Sequence, residues 1–360
     1  MVIQGLNEGE VYFSGNLNDV VITGINEYVD LSLSVAGIYI MDHERFYPVA
    51  GKVVLSDFDK LIGSYFTSAD FSALNDFYIG DVRNIYIYCQ DKNTTVSRNV
   101  TAWYSKSRVL TGVPETGMIY SRYKSINTAV EREEYLPFFA DAATILDIGV
   151  AHVRNGAEKY TRKSVALGGR TGMLAFRVSP ARVAALSGVS VDAILYYDVK
   201  VTAGTGGTDK VRYCMDRHYY RNTSNFIYLN NFGLPETIAL TGLVEYNPEL
   251  NGEIASFMQE DMRIEPELLD VKTVNSGYLS MPKYKALTDM VTSADIRVYD
   301  TTGQKKIVVT DVDLLHRQNG SEKFSVTVTY RPAERGNMEF ERIRNDRKGV
   351  FDQTFDYTFN

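Results

Sequence analysis

The 360-residue chain is 44% hydrophobic and 23% charged, which excludes a disordered polymer and leaves room for roughly two or three domains with cores of their own. Its 38 basic residues against 45 acidic ones give a net charge of −7, so no dominant nucleic-acid surface is expected. Two cysteines, Cys89 and Cys214, are too few for a disulfide framework, and no run approaches the ~18 apolar residues of a membrane helix.

The opening MVIQGLNEGEVYF has neither a basic leader nor an apolar stretch, so a chain made and folded in the cytoplasm is expected, with no membrane insertion. Leu31, Leu33 and Val35 alternate with serines as in a half-buried strand, and Val53 and Leu55 close another. Ser56 and Asp59 have capping-box-like spacing, and Phe58, Leu61, Ile62 and Tyr65 fall at i, i+3, i+4, i+7, which predicts a short amphipathic helix. Residues 85–89 and 100–104 add strands, with Trp103 expected in the core. Residues 1–108 therefore read as a β-sandwich-like domain. Residues 109–168 have weaker periodicity and read as a bridging segment. It holds Gly112, Pro114 and Gly117, the charged run Glu131, Arg132, Glu133, Glu134, and the aromatic run that follows.

Residues 169–254 read as a second β-rich domain, with strands at 193–201 and 211–220 around a loop holding Gly204, Gly206 and Gly207. Within it, Phe226, Ile227, Tyr228 and Leu229 form an aromatic strand that enters the turn Asn230, Asn231, Phe232, Gly233. Residues 255–360 read as a smaller α+β domain. Ser280 and Pro282 open a helix whose face carries Tyr284, Leu287 and Val291, and strands follow at 296–299 and 306–310. In 323–330, Phe324, Val326, Val328 and Tyr330 alternate on one face, and in the tail Phe355, Tyr357 and Phe359 do the same. A terminal strand of that kind calls for a partner edge, in this chain or in a neighbour. The fold class is thus mainly β: two β-sandwich-like domains followed by a smaller α+β C-terminal domain.

Catalytic and metal patterns fail on spacing. Cys214, Asp216 and His218 would share a strand face, but a closed zinc site wants a second ligand pair. Asp311, Asp313 and His316 lack the glycine and glutamate of a calcium loop, and Asn319-Gly320 is a hairpin signal instead. The glycines at 204, 206 and 207 lack the GK-Ser/Thr of a phosphate loop. No G-x-S-x-G elbow is present, four histidines are scattered, and carboxylate pairs are unavoidable in an acidic chain. No enzyme and no cofactor are expected. The clearer signal is 25 tyrosines, a residue that gives large contact area at low entropic cost. Tyr219, Tyr220, Phe232, Phe355, Tyr357 and Phe359 are the interface candidates. Tyr219, Tyr220 and Trp103 would be the stacking rings of an alternative, a carbohydrate- or receptor-binding module on a cell-surface glycan.

FIYLNNFGLPETI (226–238), TVNSGYL (273–279), SADIRVYD with its following IVVTD, VTYRPA (328–333) and the closing FDQTFDYTFN stand in an order that resembles structural proteins from the tails of Bacteroidetes phages and prophages. That family carries FLNRFGG-like text where this chain has Leu229, Asn230, Asn231, Phe232 and Gly233 followed by Leu234. The likeness spans most of residues 210–360; the N-terminal FYPVAGKVVLSDFDKLI is similar in style. The resemblance implies a virion component of the tail tip, baseplate or adaptor, assembled in the bacterial host cytoplasm. Its implied partners are itself as a homo-oligomeric ring and other phage tail proteins.

Overall fold

The computed structural model describes residues 1–110, 112–257, 260–300, 303–317 and 323–334. The chain is mainly β, and among the described residues its strands form six sheets with only short helices. Among the described residues no helix is long and apolar enough to cross a membrane.

The first unit is the expected sandwich. A three-stranded sheet (Val2–Gln4, Val20–Thr23, Lys52–Leu55) packs on a five-stranded one (Val11–Phe13, Thr95–Trp103, Val82–Gln90, Val29–Val35, Ile38–Phe46). Ile22 and Leu55 from the first meet Leu31, Leu33, Ile85 and Ile87 from the second; Val82–Gln90 alternates in burial, whereas Ser32 and Ser34 are buried along with the leucines, so Val29–Val35 is not the half-buried strand expected. The helix Phe58–Gly63 buries Phe58 and Ile62 against this core. Its N-cap is Asp57, not the expected Ser56. Asp57 has φ +51°, and its N–H donates to Asp19 Oδ1 at 2.9 Å, which fixes the turn without a side-chain cap. Cys89 is buried here, Cys214 is half-buried elsewhere, and both are free thiols.

Residues 109–168 differ from the expected bridge, because they carry four strands of a second sandwich. Tyr135–Ala140 lies in a three-stranded sheet with Gly172–Arg177 and Phe77–Ile79. Ser125–Thr128, Ile145–Arg154 and Ala157–Ala166 join Ile194–Thr202 and Thr208–Met215 in a five-stranded sheet. The edge strand Ala157–Ala166 is exposed along almost its whole length, which erased the alternation that marks a half-buried strand. Tyr197 and Tyr213 stack at 4.9 Å inside this sandwich, and the Tyr197 hydroxyl donates to Val178 O at 2.7 Å. Tyr196 lies on the other face, 4.3 Å under the Arg212 guanidinium.

The hairpin assigned from sequence to residues 169–254 belongs instead to the last unit. Its strands Ser224–Leu229 and Pro235–Leu240 sit at one end of a seven-stranded sheet. The order continues through Ile296–Asp300, Gly303–Arg317, Lys323–Pro332, Lys272–Asn275 and Val244–Tyr246. The helix Met281–Val291 covers one face, burying Ala286, Leu287 and Met290 against Phe226, Tyr228, Val326 and Val328. Between the two last-named strands the chain leaves the sheet as a two-stranded ribbon, Glu249–Phe257 with Glu260–Leu269, which among the described residues pairs only with itself.

A fourth cluster joins all three units. Phe13 comes from the first sandwich, Tyr135 and Met173 from the second, and Ile227, Phe232 and Tyr299 from the last sheet. Trp103 packs at this junction, edge-on to Phe139 at 5.5 Å, and not in the core of the first sandwich as expected.

Candidate functional site

The interface residues named from sequence separate in space. Tyr219 is 90% exposed. Tyr220 is at the edge of exposure, and its hydroxyl donates to Asp216 Oδ2 at 2.8 Å, while His218 Nδ1 lies 2.7 Å from Asp216 Oδ1. These three residues, with Asn127 and Met215, line an open hollow where the strand Thr208–Met215 ends. That strand ends before Asp216, so Cys214, Asp216 and His218 do not form the face once considered for metal. Among the described residues no metal-binding cluster occurs. Asp311 and Asp313 lie within the strand Gly303–Arg317, not in a loop. Phe355, Tyr357 and Phe359, and the Asn319-Gly320 turn, lie outside the described residues.

Phe232 is buried within its own chain, so its contact is intramolecular and not one between subunits. Its ring sits 5.4 Å from Phe13 and 5.1 Å from Tyr120. The turn that aims it is tightly specified. Asn230 Oδ1 accepts from the N–H groups of Phe232 (2.9 Å) and Leu234 (3.2 Å), and Gly233 has φ +66° with Tyr104 2.9 Å from where a Cβ would stand. Backbone bonds Lys106 N–H to Asn231 O (2.7 Å) and Ala69 N–H to Gly233 O (2.9 Å) clamp the turn to the first sandwich.

Beneath the hollow, and sharing Asn127 with it, lies a cavity of about 170 Å³ between the second sandwich and the last sheet. Four charged side chains converge on it: Arg132 and Glu134 from the segment entering Tyr135–Ala140, Glu236 from Pro235–Leu240, and Lys283 from the first turn of Met281–Val291. Arg132, Glu134 and Glu236 are each more than nine-tenths buried. Among the described residues none of the four makes an ion pair within 4.0 Å; Arg132 donates one hydrogen bond to Asn127 O at 3.0 Å, and Thr237 Oγ1 donates to Glu134 Oε2 at 3.0 Å. Burial without a paired cation pushes each glutamate up to about 7, and burial also lowers the Lys283 ammonium. Arg122 and Asp289, an ion pair whose Nη2–Oδ1 arm is 2.9 Å, line a neighbouring hollow that shares Glu236 with this cavity.

Sequence reading passed over this quartet, yet two signals were present. Glu236 is the one acid in an otherwise apolar and small strand, PETIAL. Lys283 stands at i with Ala286, Leu287 and Met290 at i+3, i+4 and i+7, so it lies on the buried stripe of its helix.

No family model matches the chain, and no curated protein matches it. Among solved structures it is similar to a chicken TCR, at 10% identity over 59% of this chain and 88% of that one, with a TM-score of 0.16. It is also similar to the N-terminal four Ig domains of Dscam1 isoform 1.9, at 10% identity over 84% of this chain and 72% of that one, with a TM-score of 0.17. A third is SGBP-B of the Bacteroides ovatus mixed-linkage glucan utilization locus, in complex with a mixed-linkage heptasaccharide, at 9% identity over 88% of this chain and 71% of that one, with a TM-score of 0.15. Scores this low carry no argument, and the mainly-β architecture stands on the hydrogen-bonded sheets themselves.

Proposed function

We propose that this chain is a structural protein of a phage tail, at the tail tip, baseplate or adaptor, that assembles as a homo-oligomeric ring and contacts neighbouring tail proteins. The observation that carries the reading is the ribbon Glu249–Phe257 with Glu260–Leu269, which leaves the seven-stranded sheet and pairs with no other strand of the chain among the described residues. An isolated two-stranded ribbon is marginal in water, so arms of nine and ten residues call for a second surface. Exposed Tyr246 at its base and Leu268 beside it suit an interface rim. The tail-protein resemblance of residues 210–360 supports the same reading.

The test is mass measurement in solution together with mass spectrometry of particles purified after prophage induction or phage infection. A ring of fixed stoichiometry and a small, fixed copy number in particles is the expected result. A chain that stays monomeric at high concentration and is missing from particles would sink the proposal. A second reading, glycan binding, rests on the nearly fully exposed Tyr219 beside the hollow of Asp216, His218 and Tyr220. Glycan-array signal that disappears in Tyr219→Ala would move it forward; array silence removes it.

A further inference from the structure

The cavity between the second sandwich and the last sheet has the make-up of an anion site, and it is independent of the assembly reading. The helix Met281–Val291 presents its first turn there through Ser280 and Lys283. Ser280 is the N-cap and makes no side-chain capping bond, so the leading N–H groups of the helix are not satisfied by it. The positive end of the helix and the Lys283 ammonium therefore face the same space. A second, independent group points to a ligand. Arg132 is 6% exposed and lines the cavity, and among the described residues its guanidinium makes one hydrogen bond, from Nη1 to Asn127 O, and no ion pair. A buried guanidinium without a carboxylate partner costs free energy that an oxyanion would recover.

We propose that this cavity binds the carboxylate of a small organic acid, held by Arg132, Lys283 and the start of the helix, with Glu134 and Glu236 as its acid wall. When neutral, a glutamic acid O–H donates to a carboxylate oxygen; when ionised, it repels the ligand. A monoanion suits that wall better than a phosphate dianion does. Asn127 lines both this cavity and the outer hollow of Tyr220, which places the two side by side.

The remaining charges around the cavity are few. Asp289 is engaged by Arg122, Asp216 is engaged by His218 and Tyr220, and Glu133 is engaged by Arg177. Glu134 and Glu236, without an ion-pair partner among the described residues, thus set the pH response, and loss of the Lys283 proton acts in the same direction. Their pKa values of about 7 put roughly nine-tenths of each in the neutral form at pH 6 and roughly one-tenth at pH 8. If one neutral acid is needed, affinity falls about tenfold across that interval.

The experiment is calorimetric titration of the full chain with sodium glucuronate at pH 6 and pH 8. Glucose serves as the uncharged ring of the same shape and inorganic phosphate as the other oxyanion. Saturable glucuronate binding at pH 6, about tenfold weaker at pH 8, with no response to glucose, is the expected result. Lys283→Met and Arg132→Gln, each first shown by its melt to be folded, should lower the affinity at least about tenfold, the loss of one charged hydrogen bond. Lys283→Met is only half-buried in its position and keeps the aliphatic stem, so it tests the idea even where Arg132→Gln does not fold. Silence toward glucuronate at both pH values, equal binding of glucose, tighter binding of phosphate, or unchanged affinity in folded Lys283→Met would each overturn the assignment.

Discussion

Phe232 shows how much one side chain can hold. It stands on a turn whose every position is constrained: Asn230 folds back onto two N–H groups, Gly233 takes a left-handed φ, and the ring enters an aromatic cluster with Phe13 and Tyr120. Phe232→Ala is expected to cost about 3–5 kcal/mol by chemical denaturation. Gly233→Ala meets both positive φ and the Tyr104 ring 2.9 Å away, so a loss of at least ~1 kcal/mol is expected, and a neutral result would show that Tyr104 yields freely. The glutamates obey a different rule. Each binds its proton more tightly folded than unfolded, because burial raises it from 4.5 to about 7. Their contribution is therefore most favourable at acid pH, is lost as pH rises from about 4.5 to about 7, and is flat above that. Glu236→Gln should leave the melting temperature near wild type at pH 4.5 and raise it at pH 8, by an amount worth on the order of 3 kcal/mol. A rise of the same size at both pH values would show that Glu236 does not carry the proton.

At the scale of elements, legibility followed exposure. The first sandwich was readable where apolar and polar residues alternate in the sequence, and in Val82–Gln90 that alternation is also one of burial, although Ser32 and Ser34 of Val29–Val35 are buried too. The second was half missed. Tyr135–Ala140 is apolar on both faces, and Ala157–Ala166 is polar on both, so neither alternates. The Asn155-Gly156 pair that joins that second strand to Ile145–Arg154, with φ of +54° and +74°, was the available signal. The functional quartet was harder still, since its four members come from three separate stretches that only the packing brings together. The ribbon carries its own prediction. Replacing residues 249–269 by a short Gly-Ser turn should leave a folded monomer, because the end strands Val244–Tyr246 and Lys272–Asn275 pair without it. The same replacement should abolish the oligomer; an intact ring in the ribbonless chain would assign assembly to another surface.

At the scale of the molecule, the expected boundaries at 108, 168 and 254 fall inside a body whose parts share contacts. The cluster of Phe13, Tyr135, Met173, Phe232 and Tyr299 draws on all three units, and the Asn230 turn is hydrogen-bonded to the first sandwich from within the last sheet. This makes the chain hard to dissect. A fragment ending at residue 108 would expose Phe13 and Trp103 to water, and one beginning at residue 217 would carry an unhoused Phe232 on its surface. Both fragments should aggregate on expression, and the intact chain should melt without first releasing its N-terminal third to protease. The pieces that look like modules along the sequence share one aromatic cluster, and recombining them with other chains would require carrying that cluster across each cut.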